Sequence, residues 1–68
     1  MITITNSTAF NTATYNQDNN ELIVEYKTGG KYTYSGVTLQ EVDNIISAPS
    51  KGSMLKHVIA GKVFVHNE

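Results

Sequence analysis

Glu21-Leu22-Ile23-Val24-Glu25-Tyr26, Thr28-Gly29-Gly30 and Lys31-Tyr32-Thr33-Tyr34-Ser35 read together as a β-hairpin, and the rest of the chain is organised round it. The first segment is rich in β-formers, and a two-residue period places Leu22, Val24 and Tyr26 on one face with Ile23 and Glu25 on the other. The glycines tolerate positive φ, so the chain can reverse there into the second strand. Upstream, Thr12, Thr14 and Tyr15 predict a strand over Phe10 to Asn16, and Gln17-Asp18-Asn19-Asn20 reads as the turn that joins it to the hairpin.

Downstream the period changes to about three and a half. Thr38-Leu39-Gln40-Glu41 fits a capping box, and Leu39, Val42, Ile45 and Ile46 form an apolar stripe behind it. Pro49 biases Ala48 away from helical dihedrals, which ends the helix near Ser47. Ser50 can cap a second helix with Met54, Leu55, Val58 and Ile59 facing inward, and Gly61 suits its left-handed terminus. Lys62-Val63-Phe64-Val65-His66 predicts a last strand. The expected fold is α+β: a small antiparallel sheet in β-β-β-α-α-β order, with two short helices packed on one face. Residues 1–68 form one expected domain, with residues 1–6 a flexible or edge-strand N-terminus.

A chain of 68 residues buries only roughly 60% of the surface its unfolded form exposes, so a large cavity inside one copy is not expected. The sequence has no cysteine, which excludes disulfides and thiolate metal sites. No apolar run approaches a membrane span, and Met1-Ile2-Thr3-Ile4-Thr5 lacks the basic and long apolar regions of a signal peptide. The expectation is a cytoplasmic protein that starts at its own methionine and has no membrane partner. A net charge of −1, with five lysines and no arginine, argues against general nucleic-acid binding. The charges are nevertheless segregated. Residues 44–67 hold Lys51, Lys56 and Lys62 without an acid, so an anion site belongs in that half.

Two features carry possible ligand chemistry. Tyr32 and Tyr34 share a strand face, and there they can form a platform for base stacking, where each contact contributes about 1–3 kcal/mol. Equally, their rings can fill the core beneath the helices with the hydroxyls at its rim, or one ring can pack while the other meets a ligand. Ser50-Lys51-Gly52-Ser53 places free helix-start amides, a glycine that admits a ligand and a mobile ammonium together, a combination that suits phosphate or carboxylate. It also reads as an ordinary helix cap with a solvated lysine. His57 and His66 have no second ligand at helix spacing, which gives no metal site, and no cofactor is implied. Ser53 and His57 can share a helix face, but no acid follows to orient the imidazole. No catalytic residue is assigned, and the chain is not expected to be an enzyme.

Ser7-Thr8-Ala9-Phe10, Tyr15, the hairpin segments above, Ala48-Pro49-Ser50-Lys51-Gly52-Ser53 and Ile59-Ala60-Gly61-Lys62 occur in an order that resembles the KTSC domain, named from the C-terminal end of some lysyl-tRNA synthetases. The resemblance covers about residues 7 to 66. It implies a domain type also found as free-standing bacterial and phage proteins, marked by a Tyr-x-Tyr motif and suggested to bind RNA. On this sequence it carries expectations for Tyr32, Tyr34, Ser50, Lys51 and Gly52. Met54-Leu55 stand where the family usually has an aromatic pair, and Ala60 stands where it has a basic residue, which weakens the RNA expectation.

Three classes of function follow. The first is a module gripping a nucleotide or RNA through Tyr32, Tyr34 and the Ser50 to Ser53 turn, assisted by Lys31, Lys56 or Lys62. The second is a protein-interaction or self-assembly module, since a thin core with Ile23 and Ile46 near the surface gains from homo-oligomer formation. The third, suggested by the family's distribution, is a phage counter-defence sponge that sequesters a nucleotide signal as an oligomer.

Overall fold

Glu21–Tyr26 and Lys31–Ser35 do form a hairpin. It lies at the centre of a five-stranded antiparallel sheet in a computed structural model that describes residues 2–5 and 10–67. In chain order the elements are β1 (Ile2–Ile4), β2 (Phe10–Asn16), β3 (Glu21–Tyr26), β4 (Lys31–Ser35), α1 (Leu39–Ser47), α2 (Lys51–Ile59) and β5 (Phe64–Asn67). Strands neighbour one another in sequence order, β1-β2-β3-β4-β5. Tyr26 donates its N–H to Gly30 O at 2.8 Å, and Gly29 N–H returns to Tyr26 O at 3.0 Å. Gly29, at φ +102°, takes the left-handed position that closes this three-residue loop.

Register fixes which residues share a face. Ile2, Tyr15, Leu22, Tyr34 and Phe64 pair successively across the five strands, as do Ile4, Ala13, Val24, Tyr32 and His66. These rows face the helices: Ile4, Ala13, Tyr15, Leu22, Val24 and Tyr34 form one buried cluster with Val42 and Ile45 of α1 and Leu55 and Val58 of α2. Each fully buried Leu or Val contributes about 1.5–3 kcal/mol, so this layer holds the fold. Thr3, Thr14, Ile23, Thr33 and Val65 form the corresponding row on the other face, and none of these five is buried.

Local chemistry sets the helix ends. Thr38 N–H donates to Glu41 Oε1 at 3.0 Å while Glu41 N–H donates to Thr38 Oγ1 at 3.2 Å, which completes the capping box. Before it, Val37 N–H bonds Asn20 O at 3.0 Å, and the buried Tyr15 hydroxyl donates to Val37 O at 2.7 Å. The β4–α1 connection is thus tied to β2 and to the β2–β3 turn. Gly61, at φ +81°, follows α2, where Lys62 N–H bonds Ile59 O at 3.0 Å.

Three expectations shift. The β-β-β-α-α-β order gains a strand at its start, because Ile2–Ile4 of the N-terminal segment takes the edge-strand form as β1; Met1 and Asn6 of that segment, and Ser7-Thr8-Ala9, lie outside the described residues. The last strand starts at Phe64, because Lys62 belongs to the turn after α2. Leu39 and Ile46 are 45% and 42% exposed, whereas Val42 and Ile45 are fully buried. At 3.6 residues per turn, Leu39 and Ile46 lie about 70–90° round the helix, on the same side, from the direction that Val42 and Ile45 define, so they form one exposed border of the stripe.

Candidate functional site

The two tyrosines sit in a cluster of five rings on the helix-facing side of β3, β4 and β5. Tyr32 stacks on His66 with centroids 4.4 Å apart and planes 10° apart, stacks more loosely on Tyr34 at 6.2 Å, and receives Tyr26 edge-on at 5.6 Å. Phe64 tilts against both tyrosines, at 5.7 Å from Tyr32 and 5.9 Å from Tyr34. The ladder explains why Tyr32 and His66 meet so closely. Ser35 N–H bonds Val63 O at 2.9 Å, so by alternation Val63, Val65 and Asn67 turn their backbone groups toward β4. Tyr32–His66 and Tyr34–Phe64 are then non-hydrogen-bonded pairs, whose Cα atoms approach to about 4.5 Å.

The same alternation turns the N–H and C=O groups of Phe64 and His66 away from β4. Because β5 ends the sheet, they face the open edge. That edge is apolar on both sides: Val63, Phe64 and Val65 are 74%, 55% and 58% exposed. The usual protections of a free edge, a Lys, a Pro or an acid within the strand, are absent from residues 63–67.

Gly30 matters to this arrangement. A Cβ there would lie 3.1 Å from Tyr32 Cε1 and 3.7 Å from His66 Nε2, so the bare backbone makes room for the stack. The Tyr34 ring is buried and its hydroxyl shares a 2.8 Å hydrogen bond with that of Tyr26. Burial first, and then this bond, pushes the Tyr34 phenol above the ordinary tyrosine range, so it stays neutral. Tyr34 belongs to the core. Tyr32 is half-buried, with its ring occupied by protein neighbours.

The second sequence feature lies elsewhere. Ser50 caps α2: Ser53 N–H donates to its Oγ at 3.4 Å, its hydroxyl donates to Ser53 Oγ at 3.2 Å, and Met54 N–H reaches Ser50 O at 3.2 Å. Lys51 and Gly52 begin the helix half-buried. Beside the turn an open groove of about 450 Å³ is lined by Ala48, Pro49, Ser50, Ser53, Met54 and His57. Neither tyrosine lines it, so the phenols and the Ser-Lys-Gly turn are separate surfaces.

The lysines divide similarly. Lys62 Nζ is 3.1 Å from Glu41 Oε2, which joins the α2–β5 turn to the start of α1. Glu41 is held below the usual carboxylate range, mainly by the Thr38 N–H and further by Lys62. Lys31 lies on the sheet face opposite Tyr32, and Lys56 is exposed on α2. The sequence shows Phe64 only as part of a last strand and His66 only as a histidine without a second ligand. Only the sheet order shows that this last strand is an edge.

Comparison with known proteins agrees with this architecture. The family model for the KTSC domain matches residues 6–64. The crystal structure of a KTSC domain protein from Yersinia pestis is similar with a TM-score of 0.84 at 27% identity, covering 98% of this chain and 97% of that one. No curated protein matches.

Proposed function

The chain belongs to the KTSC domain family, and from that premise we propose that it works by binding, through the open β5 edge, where an extended strand of a protein partner adds to the sheet. The exposed, uncharged run Val63-Phe64-Val65 carries this reading. Outward N–H and C=O groups of Phe64 and His66 supply ladder bonds, while Phe64 on one face and Val65 on the other supply side-chain contact. An edge without protection is an aggregation hazard unless something covers it. Residue-resolved NMR with an uncharged, alternating Val-Thr peptide tests the proposal. The expected result, at a protein concentration where the chain is monomeric, is saturable shifts at the Phe64 and His66 amides; shifts confined to Ser50–His57, or none, at that concentration contradict it.

A second reading is a phosphate-bearing nucleotide or RNA end at the start of α2. It is favoured by the groove opening beside Ser50 and Ser53, with Lys51 and Gly52 at the same helix start. Helix-start amides attract anions. Lys51→Ala then weakens nucleotide binding without altering the melting curve, and the affinity falls with salt. Nucleotide binding that is unaffected by Lys51→Ala and by salt removes this reading. A sponge for a nucleotide signal is the same chemistry in an oligomer.

A further inference from the structure

We propose that the strand received by β5 is the β5 of a second copy, paired antiparallel about a two-fold axis at Val65; this rests on the edge-binding reading above and names its partner. The register follows from the ladder. Phe64 and His66 direct their backbone groups outward, and an antiparallel hydrogen-bonded pair must join two such residues. Setting Phe64 opposite His66 of the second copy, and His66 opposite Phe64 of the second copy, satisfies all four N–H groups and all four C=O groups. The two-fold then passes between the two Val65 residues, a closely spaced pair on the face away from the helices.

Side chains agree with that register. On the helix-facing side, Phe64 comes beside the imidazole of the second copy's His66. The stack Tyr32–His66, already parallel at 4.4 Å, continues onto the second copy's Phe64 and from there to its tyrosines, which gives a sheet of ten strands with an unbroken row of rings. On the other side, the two Val65 side chains cover each other. Residues 63–67 hold no Asp, Glu, Lys or Arg, so a copy meets its own image without charge repulsion.

The area is modest. Full burial of a phenylalanine removes roughly 150–250 Å², and more than half of Phe64 is uncovered. With Val63 and Val65, two copies together remove on the order of 650 Å², a small contact that makes the pairing weak and concentration-dependent, with the four ladder hydrogen bonds adding to it. The isologous geometry uses every exposed apolar residue of the edge twice.

Cross-linking and mass together form the test. The chain has no cysteine, and facing Cα atoms in a non-hydrogen-bonded pair are about 4.5 Å apart, within disulfide range. Val65→Cys is expected to oxidise to a covalent dimer, whereas Val63→Cys, which meets residue 67 and not itself, stays uncross-linked under the same conditions. Native mass spectrometry is expected to show a wild-type dimer and complete loss of it in Val65→Lys, which sets two ammonium groups face to face at a position already exposed in one copy. Ile46→Lys, on α1, leaves the dimer intact. A wild-type monomer at high micromolar concentration, equal cross-linking at both positions, or dissociation by Ile46→Lys and not by Val65→Lys overturns the proposal. If the wild type is monomeric yet the alternating peptide still shifts Phe64 and His66, the edge reading stands and the second copy falls.

Discussion

Tyr15→Phe isolates one interaction on which the layered fold depends. The ring is 1% exposed and stays in place, and the lost group is the hydroxyl that donates to Val37 O at 2.7 Å. Val37 is itself fully buried, so its carbonyl cannot turn to water when the donor goes. The substitution therefore removes a net hydrogen-bond contribution and also leaves an acceptor desolvated, an effect of about 1–3 kcal/mol. A domain of this length has about 3–10 kcal/mol in total at typical per-residue stability, so the loss is a large fraction. We predict a urea midpoint lower by roughly 1–3 M at an m-value near 1 kcal/mol/M, with m unchanged. In a thermal scan each kcal/mol lost lowers Tm by roughly 4–8 °C. An unchanged midpoint would refute the reasoning, since it would mean that the Val37 carbonyl finds another donor at no cost and that the β4–α1 connection is not pinned by β2.

Other perturbations read different layers. Thr38→Ala removes the acceptor of the Glu41 N–H and half of the capping box; chemical denaturation is expected to show a loss of about 1 kcal/mol, and a neutral result argues against the cap. Glu41 has a folded pKa below its unfolded value, so its contribution is present above the unfolded pKa near 4.5 and disappears as pH falls through the lower folded pKa. Glu41→Gln accordingly flattens the acid limb of a stability-against-pH curve, and an unaltered limb contradicts the assignment. Gly30→Ala pushes a methyl against Tyr32, and the ring-current shifts of the His66 imidazole protons are expected to move toward free-histidine values while the fold persists. Unmoved shifts would show that Tyr32 yields without disturbing the stack.

Most of the fold is legible in the residues because the local signals agree with one another. β-formers at a two-residue period, the Thr28-Gly29-Gly30 break, the Thr38 to Glu41 box, Pro49 and Gly61 each act within a few positions, and β2, β3, β4 and both helices lie where these signals place them. Ile2-Thr3-Ile4 is too short to carry a period, so β1 becomes a strand only through its pairing with β2. The site is less legible. Tyr32 and Tyr34 share a face as their spacing requires, but whether a ring is covered depends on which elements lie above it. Tyr34 is buried, while Phe64, its neighbour on β5, is exposed because β5 ends the sheet. His66 acquires its meaning in the same way: a lone histidine near the C-terminus becomes one half of a parallel stack through a register that joins residues far apart in sequence.

The outward amides of β5 are either paired with another strand or open to water. Residue-resolved hydrogen exchange at low and high protein concentration measures this directly. Strand pairing at the edge predicts that the amides of Phe64 and His66 slow as concentration rises, while those of Val65 and Ser35, already within the β4–β5 ladder, keep their protection. Exchange at Phe64 and His66 that stays at the rate of free amides at every concentration would contradict it.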